Sequence, residues 1–217
     1  MEPAEKTREN EPSTRDALLH AAGRIFAEQG FRAATIRDIC QAASANVAAV
    51  NYHFGDKDHL YLEALRLAHR DANAHFPLGQ DDPALPADER LRRFIEAFLQ
   101  RLSSRGPDSW MSKIMSREMV EPTEALDIIV REEIRPHAGA LAKIVEDLLG
   151  PAASAEKTRL CAMSVVSQCL FYHHCRPVIG RLFPGLELGP KTAGTIAAHI
   201  TEFSLAALRS MAQPASP

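Results

Sequence analysis

Apolar residues recur along this chain at the three- and four-residue spacing of amphipathic helices, and no run alternates convincingly as a half-buried strand would. Ser13 and Thr14 precede a first helix with Leu18, Ala21, Ala22, Ile25 and Phe26 on one face and Gly30 as its stop. Thr35 is placed to cap a second helix through Ile36, Ile39 and Cys40. A third begins at Ala45 or Asn46, turns Val47, Val50 and Phe54 inward, and ends at Gly55. Asp56 caps a fourth, which continues through Leu60, Ala64, Leu65 and Ala68. The Pro- and Asp-rich segment from His75 breaks the periodicity and reads as a linker.

Beyond it Leu91, Phe94, Ile95 and Phe98 form one stripe, and Trp110, Ile114 and Met115 begin another. A long run from Glu124 to Leu149 should kink or split at Pro136. Segments 159–176 and 192–211 complete the set. The pattern predicts an all-α chain: a tail over 1–12, a three-helix helix-turn-helix domain over 13–72 with its motif at 35–54, and a second helical domain over 86–212.

Composition narrows the setting more than the function. The chain has 217 residues, 46% of them hydrophobic, enough for a real core. No run of about 18 apolar residues marks a membrane span, and the polar N-terminus lacks a signal-peptide centre, so a cytoplasmic protein is expected. Four cysteines without CxxC spacing read as reduced thiols. The formal net charge is −3, so any nucleic-acid contact must come from locally placed groups.

The stretch TIRDICQAASANVAAVNYHF, residues 35–54, supplies such groups. A recognition helix needs small residues at the groove floor and polar tips at base edges. Ala48 and Ala49 allow close approach, Val47 offers contact to a thymine methyl, and Asn46 and Asn51 offer amides. Tyr52 and His53 can reach phosphate oxygens, with Thr35 and Arg37 beside the backbone. Lys57 begins the next helix, where its charge and free N–H groups could clamp a phosphate.

Residues 15–65 resemble the N-terminal domain of the TetR family of transcriptional regulators: a helix ending F-x-x-x-G-F, then I-R-D-I, then Y-H-F followed by a Lys. The W-M-S-K-I-M-S-R-E-M-V-E-P-T stretch and SVVSQCLFYHHCRPVI extend the likeness to the CecR-like subgroup. The resemblance implies a homodimer on double-stranded palindromic operator DNA, released by a small hydrophobic effector, controlling efflux or detoxification genes. Two positions depart from the family pattern. Val47 stands where many relatives have Lys, leaving the recognition helix without Lys or Arg. Ser44 occupies a turn position where Gly is frequent, and a positive φ there would cost about 1 kcal/mol.

In the second domain, segments 159–176 and 192–211 suit a dimer interface, with small residues at Ala162, Ser164, Ser167, Ala193, Ala197, Ala198 and Ala206; the alternative is a monomer core, the resemblance implies both uses, and the dimer is the expectation. Phe94, Phe98, Trp110, Met111, Ile114, Met115, Met119, Phe171 and Tyr172 are either ordinary core or the lining of an adaptable apolar pocket. Arg117, Glu118 or His173 would anchor a ligand there. Cys169 and His173 share a helical face, but two ligands on one helix are too few for a metal, and none is expected. No cofactor is expected either. No nucleophile–base pair or phosphate loop supports an enzyme. The rival reading is a helical small-molecule or metal-binding protein with an incidental helix-turn-helix module.

Overall fold

A computed structural model of the chain describes residues 13–78, 82–103, 110–186 and 188–212; the tail expected over 1–12 lies outside them. Every regular element among the described residues is helical. They are α1 (Thr14–Ala33), α2 (Ile36–Ala42), α3 (Val47–Phe54), α4 (Lys57–His75), α5 (Ala87–Ser103), α6 (Trp110–Glu118), α7 (Glu124–Ile129), a π-turn (Val130–Ile134), α8 (Arg135–Leu149), α9 (Ala155–His174), α10 (Arg176–Leu182) and α11 (Pro190–Ala212).

Short-range chemistry sets the first four helices. Ser13, Thr35, Asn46 and Asp56 are N-caps, each accepting a backbone N–H from three residues on. Gly30 breaks α1 with φ 81° and ψ 166°, a conformation reserved almost wholly for glycine. Gly30→Ala should therefore cost about 1–3 kcal/mol, read as a lowered urea midpoint. A change below a few tenths of a kcal/mol would refute the strain. Ser44 has φ 51°, so the turn between α2 and α3 does hold a non-glycine in the left-handed region.

Two cores result, and they do not follow chain order. The first gathers α1 to α4 with α6 and α7, and includes Leu19, Phe26, Ile39, Val50, Leu65, Trp110, Ile114 and Ile129. The second gathers α5, α8, α9 and α11 around Leu91, Ile95, Leu141, Val145, Val165 and Ile200. α6 and α7 thus lie beyond the linker in sequence yet pack on the N-terminal helices. Arg66 on α4 reinforces this, pairing with Glu132 of the π-turn through Nε at 2.8 Å and Nη2 at 2.7 Å.

Several sequence expectations need correction. Val47 faces outward, 49% exposed, because α3 turns only Val50 and Phe54 into the core. The run 124–149 does not split at Pro136: the backbone stays helical from α7 through the π-turn into α8, and the widened turn just before Pro136 accommodates its missing N–H. The segment expected at 159–176 begins at Ala155 and ends at His174, and a separate α10 follows.

Candidate nucleic-acid interface and effector cleft

The α2–turn–α3 unit presents one solvent-exposed edge of mixed small, apolar and polar residues. Tyr52 is 84% exposed, and Val47, Ala48 and Asn51 are exposed beside it, with Ala49 and His53 half-buried. Asn46 is constrained more than the sequence suggests: its Oδ1 accepts from the Ala49 N–H at 2.9 Å, leaving the NH2 end of the amide to donate. Thr35 is held likewise, its hydroxyl accepting from the Asp38 N–H at 3.1 Å and donating to the Asp38 carboxylate at 2.6 Å. Arg37 stands beside it at the start of α2, where the chain is open to solvent.

Lys57 does not extend freely into solvent. Its ammonium lies 4.5 Å from the Phe31 ring centroid and 3.4 Å from the Arg32 carbonyl, fixing a positive charge at the end of α1. The N-terminus of α4 already has an anionic cap in Asp56, whose Oδ1 accepts from the His59 N–H at 2.8 Å; that bond holds the carboxyl below its usual range. A phosphate at this end would share it with Asp56.

The residues expected around an effector divide between the two cores. Trp110 and Ile114 are buried in the first, with Met111 and Met115 packed against it; Met119 is 57% exposed. Phe94 and Phe98 belong to the second core, while Phe171 is 54% exposed. Arg117 reaches across to α1, donating to the carbonyls of Ala27 at 3.1 Å and Glu28 at 2.5 Å, just before the Gly30 break. Glu118 is 2% exposed and accepts from the Tyr61 hydroxyl at 2.5 Å and the Thr123 N–H at 3.0 Å. Burial and this carboxylate push the Tyr61 phenol far above its usual range.

Tyr172 and His173 remain, and they do line a cleft, together with Leu102, Ser103, Cys169 and Ile196. The His173 ring is positioned by the Leu102 carbonyl, 3.0 Å from Nδ1, and Nε2 sits 3.4 Å from the Ser116 hydroxyl. Burial lowers its basicity and favours the neutral ring. Burial also pushes the Cys169 thiol up to about 12, which keeps it protonated and a poor metal ligand. Among the described residues no three His, Cys, Asp or Glu side chains come together to hold a metal. No helix among them is long and apolar enough to cross a membrane.

Sequence reasoning missed Arg117 as a clamp on α1, Glu118 as the acceptor for Tyr61, and the buried His69 on α4. The first two are contacts between distant segments with no local signature.

Known proteins share both halves of this arrangement. Residues 18–64 match the model for bacterial regulatory proteins of the TetR family. Residues 87–211 match the C-terminal domain of the HTH-type transcriptional dual regulator CecR. The chain is 28% identical to CecR of Shigella flexneri over 166 residues, 71% of this chain and 73% of that one. It is 26% identical to the HTH-type transcriptional repressor NicS of Pseudomonas putida over 189 residues, 83% and 84% of the two chains. In fold it superimposes on the TetR-family regulator PfmR of Thermus thermophilus with a TM-score of 0.63 at 22% identity, over 90% of this chain and 97% of that one. The chain belongs to the TetR family of DNA-binding transcriptional regulators, with a C-terminal domain of the CecR type.

Proposed function

We propose that the protein is a cytoplasmic, ligand-released repressor that binds palindromic operator DNA as a homodimer, with efflux or detoxification genes as its targets. The observation that supports DNA readout is the exposed edge of α3, where Val47, Ala48, Asn51 and Tyr52 stand clear of the core. With no Lys or Arg on α3, specificity leans on the Asn51 amide, the Val47 methyls and DNA shape. NicS is named a repressor and CecR a dual regulator, so both signs of control occur among relatives.

The dimer is supported by two helix faces that are exposed among the described residues. α9 exposes Leu160, Met163, Ser164, Ser167 and Phe171 at helical spacing, and α11 exposes Thr195, Ala198, Phe203 and Ala206. Of the small residues expected at such an interface, Ala193 and Ala197 are turned into the monomer core instead. Four such helices, two from each copy, would form a bundle burying Met163, Phe171 and Phe203. Phe203→Asp is expected to convert a dimer to a monomer at micromolar concentration by light scattering. An unchanged mass would remove α11 from the interface.

The cleft beside Tyr172 and His173 holds only about 20 Å³, so an effector would have to open it, acting through Ser116 and Arg117 on the end of α1 and shifting the spacing of the two recognition helices. The reading is tested by fluorescence anisotropy on DNA upstream of the protein's own gene, with a scrambled duplex alongside. Asn51→Ala or Tyr52→Ala should weaken specific binding about 10- to 100-fold. Equal, salt-sensitive binding to both duplexes would count against sequence-specific readout. Transcript profiles of a deletion strain would show whether efflux genes respond, and in which direction.

A further inference from the structure

Five polar side chains meet between α4, α5 and the π-turn leading into α8: His69 and Arg101 are buried, and Asn73, Glu133 and His137 are half-buried. His69 and Asn73 lie one turn apart on α4, and Glu133 and His137 have the same four-residue spacing from the π-turn into α8. Arg101 enters from α5. Asn73 links the three elements: its Oδ1 accepts from Arg101 Nη2, and its Nδ2 donates to Glu133 at 3.1 Å. Arg101 also donates from Nε to the Phe76 carbonyl at 2.6 Å.

Two features make this more than a packed junction. His69 is 6% exposed, yet among the described residues neither ring nitrogen has a hydrogen-bond partner. A buried polar group left so is destabilising, and a leucine would fill the same space without that penalty. Arg101 is 4% exposed, a cation in the interior beside Asn73. Its burial outweighs the help of Glu133, pushing the guanidinium down to about 10. Burial first, and then Arg101, hold His69 and His137 neutral, each at about 4. A metal ion is disfavoured beside that positive charge. An anion is favoured by it, and a neutral imidazole has an N–H to donate.

We propose that the α4–α5–α8 junction, with His69, Arg101 and His137, is a binding site for the carboxylate of a small organic acid. The carboxylate pairs with Arg101 and accepts from His69 and His137, satisfying the orphaned ring. The site joins the two cores, since α4 belongs to the first and α5 and α8 to the second. Its occupancy therefore biases how the DNA-binding helices sit on the rest. That regulatory consequence rests on the proposed function; the binding does not.

The experiment titrates the full-length protein with sodium benzoate and, separately, sodium octanoate, with benzamide and octanamide as neutral controls, at constant ionic strength. Imidazole resonances of His69 and His137, assigned with His69→Gln and His137→Gln, report the site. Saturable shifts with a carboxylate, an upward move of at least about one unit in the titration of both rings, and no response to the amides are expected. Arg101→Met should weaken binding about tenfold or more. Should that variant fail to fold, His69→Gln must weaken it instead. Equal binding of amide and acid would overturn the proposal. So would the same response to chloride or phosphate alone, an adventitious ion only. Silence of both rings to both acids would also overturn it, leaving a site satisfied by water. Release of operator DNA by the bound acid supports the regulatory role. Binding without release would overturn that role alone, and failure of the protein to bind DNA at all would indict the proposed function instead.

Discussion

Trp110→Ala should lower the stability of the protein by about 3–5 kcal/mol, as expected when a buried tryptophan is truncated. Trp110 is 4% exposed and lies against α1 where residue 23 is a glycine. A Cβ built on Gly23 would come within 2.6 Å of the indole, so the ring occupies the space that the missing side chain leaves. Truncation empties that space at the contact that fixes α6 on the DNA-binding helices. Gly23→Ala should cost about 1–3 kcal/mol for the opposite reason, since the rigid ring and two helix backbones must part. The double variant provides the sharper test. The alanine methyl then fills part of the hole, so the combined loss falls below the sum of the two single losses. Urea unfolding measures all three. Simple additivity would mean that the two residues do not meet. The Trp110 N–H has no partner among the described residues, so Trp110→Phe should cost far less than Trp110→Ala.

How the sequence and the fold correspond depends on the range of the interaction. The caps at Thr35 and Asp56 were legible because each bond closes within three residues. The break at Gly30 was legible for the same reason, whereas the π-turn that carries the helix past Pro136 was not. The candidate DNA contacts could be named because they sit on short capped helices, yet the cap role of Asn46 and the tether on Lys57 needed coordinates. Apolar periodicity shows that a helix has an inner face, but not which core receives it. Hence Trp110 and Ile114 were grouped with Phe94 and Phe98, although α6 and α5 bury their faces in different cores. α10 was missed because its seven residues leave Val178 and Leu182 exposed and show no clear inner stripe.

Acidification should destabilise the protein well before its carboxylates are protonated, and His69 is the principal cause. In the folded chain burial, helped by Arg101 and His137, pushes its imidazole down to about 4, against an ordinary value near 6.5. The unfolded chain therefore binds a proton as the pH falls below about 6.5, while the folded chain does not until about 4. Stability is full above the unfolded value, falls between the two, and levels off for this group below about 4. The loss from His69 is on the order of 2–3 kcal/mol. His137 is shifted in the same direction and adds to the slope. Asp56, Glu132 and Asp147 are all held low, by the His59 N–H, by Arg66 and by Arg90. Their stabilisation persists down to their unfolded values near about 4 and is lost only below them, so it leaves the window from about pH 6.5 to 4.5 to the imidazoles. Urea unfolding at about pH 7.0, 5.5 and 4.5 should show that slope, and His69→Gln should remove much of it. A variant with the same slope as the parent would place the titration elsewhere. A carboxylate bound at the junction would weaken that slope. By pairing with the protonated ring it raises the folded value of His69, so the acid should stabilise the protein more at about pH 5.5 than at about pH 7.0.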